Sequence, residues 1–146
     1  MKATVIYGVS GSGKSTFAKS LNGGETIHVE RDIIRFNDNF MNLVDWEKYS
    51  PDRNTEYIVD TLWRVQVCDA ARIHKDIIIS DTLCKVSDRR ILNHLLKFLG
   101  YDVEFIRVDT PFEECIQRDH SRGKLSVGKD VIFKQHNSLS SYKDHL

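Results

Sequence analysis

Cysteine is scarce and scattered in this sequence. Cys68, Cys84 and Cys115 are the three in 146 residues, and no two form a C-x-x-C pair. An odd, widely spaced set argues against a disulfide framework and against the usual zinc-ligand spacings. It fits a reduced, cytoplasmic chain. Excess charge is also missing: Lys plus Arg number 21, Asp plus Glu number 21, and the formal net charge is zero. No global basic field therefore signals nucleic acid, although a local patch would suffice. No apolar run nears the ~20 residues that a membrane-spanning helix needs, so no membrane partner is expected. The opening "MKATVIYGVSG" is too short in its apolar part for a signal sequence. Repeats, low-complexity tracts and linkers are absent too. The chain reads as a single domain, 1–146, large enough to bury a core without staples.

What is present is alternation. Four short runs rich in β-branched or aromatic residues read as strands, at 3–7, 26–29, 76–80 and 103–108. Helical spacing fills the intervals. A helix is expected over 14–21. Another is expected over 54–74, where Ile58, Leu62, Val65 and Cys68 recur every three or four residues. Residues 87–99 carry a stripe of Ile91, Leu92, Leu95, Leu96 and Leu99. A helix over 111–121 should start with Pro111 in its first turn after Thr110 as N-cap. A last helix is expected from about 128 to 142. Continuous apolar strands imply burial on both faces. The alternation points to an α/β fold, an open parallel sheet of about four strands flanked by helices. Residues 36–53 fit least well and read as a short helix plus loop on the substrate side.

The stretch "YGVSGSGKSTF" matches G-x-x-x-x-G-K-[ST] at Gly8, Gly13, Lys14 and Ser15. A strand precedes it and a helix follows, as this motif requires. Small residues let backbone N–H groups turn inward around an oxyanion. The helix N-terminus adds its positive dipole end. Gly8, Ser10, Gly11, Ser12, Gly13, Lys14, Ser15 and Thr16 thus form the expected cradle for ATP or another NTP. Lys14 would reach the β- and γ-phosphates, and the Ser15 hydroxyl would ligate Mg2+.

Ligands of open parallel sheets bind beyond the carboxyl ends of the strands. Asp32 follows the second strand, eighteen residues after Lys14, which returns it to the edge of the phosphate loop. A carboxylate there could take the proton of an attacking hydroxyl. Arg31 and Arg35 flank it, and Arg35 is one helical turn away. An arginine beside a would-be base suits a phosphate-bearing acceptor. The plainer reading is a helix N-cap with solvated arginines. Asp81 closes the third strand. It could act on Mg2+ as a Walker-B acid, hold an arginine such as Arg35, or simply cap a turn. Residues 118–124, "RDHSRGK", follow a helix where small P-loop kinases carry an arginine-bearing lid. Arg118, Arg122 and Lys124 are the candidates, against the alternative of a basic helix end answering the dipole.

Together "GVSGSGKSTFAKSL", "VERDIIRF", "DIIISDTLCKVSDRRIL" and "GYDVEFIRVDTPFEECIQRDHSRG" resemble the 5′-kinase domain of the phage polynucleotide kinase family. The likeness spans nearly the whole chain. It implies a P-loop kinase fold, adenylate-kinase-like. It further implies Lys14 and Ser15 on donor phosphates and metal, and Asp32 as general base for a 5′-hydroxyl. Arg35 would sit on the acceptor phosphate, with Asp81 orienting it and Thr82 beside it. Arg122 would be the lid arginine, Arg118 its neighbour on the donor, and Val127 an apolar contact to the acceptor nucleoside. Partners would be 5′-OH ends of DNA or RNA, and the family's tetramers leave a homo-oligomer open. Leu83 stands where the family often has asparagine. The D-x-D-x-T motif of the phage enzymes' phosphatase domain is not in the chain, which suits either a kinase-only protein or a piece of a longer one. Two other functions remain open at this point: a small-metabolite or nucleoside kinase, and a non-catalytic nucleotide-binding module.

Overall fold

The computed structural model describes residues 1–37 and 52–140. The helix-plus-loop expected over 36–53 lies largely outside them. Four strands, β1 (Lys2–Tyr7), β2 (Ile27–Val29), β3 (Ile77–Asp81) and β4 (Asp102–Arg107), form one sheet. All pairings are parallel and the order is β2-β3-β1-β4. The chain therefore leaves β1 for the far edge and later crosses back to the other side of it. A crevice opens at that reversal, past the strand ends.

Helices fill the intervals: α1 (Lys14–Leu21), α2 (Arg31–Arg35), α3 (Arg53–Arg72), α4 (Val86–Phe98), α5 (Phe112–His120) and α6 (Lys129–Ser140). A 3-10 turn, Gly123–Leu125, links the last two. Among the described residues, no helix is long and apolar enough to cross a membrane.

β1 and β3 are buried nearly throughout, as their unbroken apolar runs require. β4 departs from expectation. It is an edge strand, half-exposed along its length, and its Glu104 and Arg107 interrupt the apolar run. The stripe expected on the 54–74 helix is corrected as well. Ile58, Leu62, Val65 and Cys68 are exposed, whereas Thr55, Val59, Trp63, Val67, Ala70 and Ala71 are buried. Both stripes have helical spacing, so periodicity alone could not choose between them. The buried one carries Trp63, the largest apolar surface on the helix, and small alanines that permit close approach to the sheet. Ile91 of α4 is likewise exposed while Leu92 and Leu96 enter the core.

The start of α5 is also revised. Pro111 occupies the N-cap position. The Thr110 hydroxyl donates instead to the carbonyl of Ser12 at 2.6 Å. It satisfies a phosphate-loop acceptor rather than its own helix.

Candidate active site

The loop after β1 turns on two left-handed glycines, Gly11 (φ 78°) and Gly13 (φ 94°). A Cβ on Gly11 would collide with the Cys115 carbonyl, so the position also demands close approach. Ser12 N–H donates to Val9 O at 3.2 Å, and Phe17 N–H to Gly13 O at 3.0 Å, which starts α1. Ser10 N–H donates to Gln135 Oε1 of α6 at 2.8 Å. The Ser12 hydroxyl is buried without a hydrogen-bond partner. Two left-handed glycine turns at a helix N-terminus fit a bound phosphate.

Lys14 donates from Nζ to Val9 O at 2.9 Å. Burial pushes its pKa down, opposed by the negative charges of Asp32, Asp81 and Glu30. Lys14 and Ser15 line a cleft of about 1010 Å³, shared with Ser10, Gly11, Gly13, Asp32, Arg35, Asp81, Thr82, Arg118 and Arg122. Five predicted residues lie off its wall. Gly8 and Ser12 sit beneath the loop, Thr16 is exposed on α1, Lys124 is exposed in the 3-10 turn, and Val127 packs against the core around Cys115 and Ile132.

Asp32 and Arg35 occupy one face of α2, so Asp32 is inside the helix and Glu30 takes the N-cap position. Arg35 NH1 donates to Asp32 Oδ1 at 2.8 Å. Its Nε and NH2 donate to Glu56 of α3 at 2.8 and 2.6 Å. Arg122 NH2 lies 3.7 Å from the other oxygen of Asp32. Arg118 is tied to Glu114 at 2.6 Å and points NH1 toward Gly11 O at 3.4 Å.

Asp81 differs from expectation. Its partner is Arg31, through the backbone N–H at 3.0 Å and NH1 at 2.8 Å. Arg35 adds favourable charge near it but is held by Asp32 and Glu56. The reason is positional. β2 lies beside β3, and Arg31 is the first residue past β2 to face the Asp81 end, while Arg35 is one turn farther out. Arg31 also donates to Asp60 at 2.9 Å and stacks 4.2 Å from the centre of the Trp63 ring.

Burial raises the Asp81 pKa to about 6 despite Arg31. The folded chain thus holds this proton more tightly than the unfolded chain, where the value is about 3.9. The stabilising contribution is complete below the unfolded value and is lost as pH rises through about 6. Asp81→Asn should therefore gain on the parent by roughly 2–3 kcal/mol between about pH 4 and about pH 7, read from urea midpoints. A difference flat with pH would mean that Asp81 is ionised throughout.

Behind the arginines, Asp119 is buried at the end of α5. Its carboxylate accepts from Ser126 Oγ (2.5 Å), Val127 N–H (2.9 Å) and Gly128 N–H (3.0 Å). It closes the segment that carries Arg122. Sequence reasoning missed Asp119, Glu56, Gln135 and Glu30. Only Glu30 had a visible signal, as an acid directly after a strand.

A family model described as an AAA domain matches residues 4–143. The chain belongs to the AAA domain family. This AAA domain is 27% identical over 139 residues to a protein of Autographa californica nuclear polyhedrosis virus described as a bifunctional polynucleotide kinase/RNA ligase. That match covers 90% of the chain but 20% of the relative. A chain of the Pnkp1/Rnl/Hen1 RNA repair complex superposes with a TM-score of 0.79 at 23% identity, over 96% of this chain and 44% of that one. A gluconokinase from Sinorhizobium meliloti gives 0.59 at 17% identity, over 98% and 75%. This AAA domain therefore spans about one fifth of the curated relative and under half of the repair-complex chain. It is a kinase-like P-loop domain related to that polynucleotide kinase/RNA ligase, it shares its fold with the gluconokinase, and its phosphate loop is of the NTP-binding kind.

Proposed function

We propose that the chain is a polynucleotide 5′-hydroxyl kinase domain, transferring the γ-phosphoryl group of ATP or another NTP to a 5′-OH end of DNA or RNA. The observation that carries this reading is Asp32 between two guanidinium groups, Arg35 at 2.8 Å and Arg122 at 3.7 Å, on the cleft that Lys14 lines. A carboxylate so placed serves as a proton acceptor. A fixed arginine beside it suits an acceptor that already bears a phosphate. The viral relative's description, polynucleotide kinase/RNA ligase, supports the same substrate class.

Positioning and charge stabilisation do most of the work in such a transfer. Arg35 takes the acceptor phosphate nearest the reacting end, and its bonds to Glu56 fix its direction. Asp32 aligns the 5′-hydroxyl and accepts its proton as the oxygen bonds to the γ-phosphorus and the nucleoside diphosphate departs. Lys14 and Arg122 offset the charge on the transferring group. Ser15 would hold Mg2+, which supplies charge neutralisation between the donor phosphates. Recognition through phosphate predicts low sequence specificity.

The test is label transfer from γ-labelled ATP with Mg2+ to a 5′-hydroxyl oligonucleotide, comparing DNA and RNA ends. Labelled oligonucleotide is the expected product. Transfer to a nucleoside or sugar instead would make the chain a metabolite kinase. Nucleotide binding with no transfer to any acceptor would make it a binding module.

A further inference from the structure

We propose that Glu30 is the carboxylate that holds the donor's divalent cation, accepting from a metal-bound water beside the Ser15 hydroxyl. The inference rests on the nucleotide-binding part of the function proposed above. Among the described residues, no group of three or more His, Cys, Asp or Glu could hold a metal alone. A cation carried in on the donor phosphates would meet few protein oxygens, the habit of Mg2+, which keeps several waters. Ser15 offers one oxygen from the first turn of α1. A second should stand close to it on the same cleft.

Two buried acids are available, Glu30 and Asp81, and both line the cleft. Asp81 is engaged at both oxygens by Arg31. Glu30 is bonded by Ser80 and Ser15 and lies against His28. The sheet register explains the arrangement. Val29 pairs with Ile79, so Glu30 comes level with Ser80. Ser80 Oγ donates to Glu30 Oε2 at 2.5 Å, and His28 Nε2 lies 3.3 Å from the same atom. Oε1 carries neither contact. The carboxylate is thus fixed through one oxygen and adjacent to Ser15, which is how an outer ligand of a metal is usually oriented.

Mn2+ affinity tests this directly, by electron paramagnetic resonance on the full chain saturated with a non-hydrolysable ATP analogue. Glu30→Gln should weaken Mn2+ about 10–100-fold, while affinity for the analogue in EDTA stays near the parent's. Asp81→Asn should leave Mn2+ affinity near the parent's. Parent-like Mn2+ binding by Glu30→Gln overturns the proposal, as does a loss carried by Asp81→Asn instead. A fall in EDTA affinity equal to the fall with metal also overturns it, because Glu30 would then act only through Lys14. Should Glu30→Gln unfold, Ser80→Ala decides: it frees the carboxylate without removing its charge, and unchanged Mn2+ affinity there sinks the idea. Failure of the parent to bind the analogue at all would instead remove the nucleotide-binding reading. No acceptor enters the experiment.

Discussion

Asp32→Ala should lower label transfer to a 5′-hydroxyl oligonucleotide by about 10²–10⁴-fold, with affinity for ATP nearly unchanged. The substitution is structurally mild. Asp32 is over a third exposed, and Arg35 keeps its two bonds to Glu56 when Asp32 is gone. Lost turnover would therefore report chemistry rather than a collapsed helix. Asp32→Asn sharpens the test, because it keeps the shape and one acceptor oxygen but cannot take a proton. Equal losses in both variants fit a base. Near-parental transfer by Asp32→Asn would reduce Asp32 to an aligning role, and near-parental transfer by Asp32→Ala would remove it from the chemistry.

Lys14→Met should move activity and stability in opposite directions. Transfer should fall by about 10²–10³-fold or more, since a cation aimed at developing phosphate charge is lost. Stability of the ligand-free chain should rise, by roughly 1–3 kcal/mol at neutral pH. The reason is the part-buried ammonium, which is bonded to a neutral carbonyl of Val9 and has its pKa lowered chiefly by desolvation. Below that lowered value the folded chain carries a charge it disfavours. As pH rises toward the unfolded value of about 10.4, the parent should regain stability and the gap to Lys14→Met should close. Denaturation at neutral and alkaline pH measures both limbs. A destabilised Lys14→Met would show that the attraction of Asp32, Asp81 and Glu30 outweighs desolvation.

Sequence carried the sheet and the phosphate loop well, because both rest on local rules. Gly11 and Gly13 stand where left-handed turns require glycine, and β1 and β3 are apolar runs between turns. Asp32, Arg35, Asp81 and Arg122 were legible as residues at strand and helix ends, and they do share one cleft. Their pairings were not legible. Whether Asp81 meets Arg31 or Arg35 depends on β2 lying beside β3, a tertiary fact absent from spacing. The buried stripe of α3 is hidden from spacing for a similar reason. Two apolar faces satisfy the helical period, and only packing against the sheet selects Trp63 over Leu62. Thr110 reads as a cap because capping is local, whereas its acceptor, Ser12, is 98 residues away.

The carboxylate of Asp119 has a mechanical consequence for Arg122. Its bonds to Ser126, Val127 and Gly128 pin both ends of a short loop at one point. Arg122 rides between those ends, so its reach is set by a few backbone torsions and its own side chain. It does not depend on α6 swinging away from α5. The conformational search that a tethered cation must make is largely curtailed before any ligand arrives. Such a loop works as a short spring with a fixed foot.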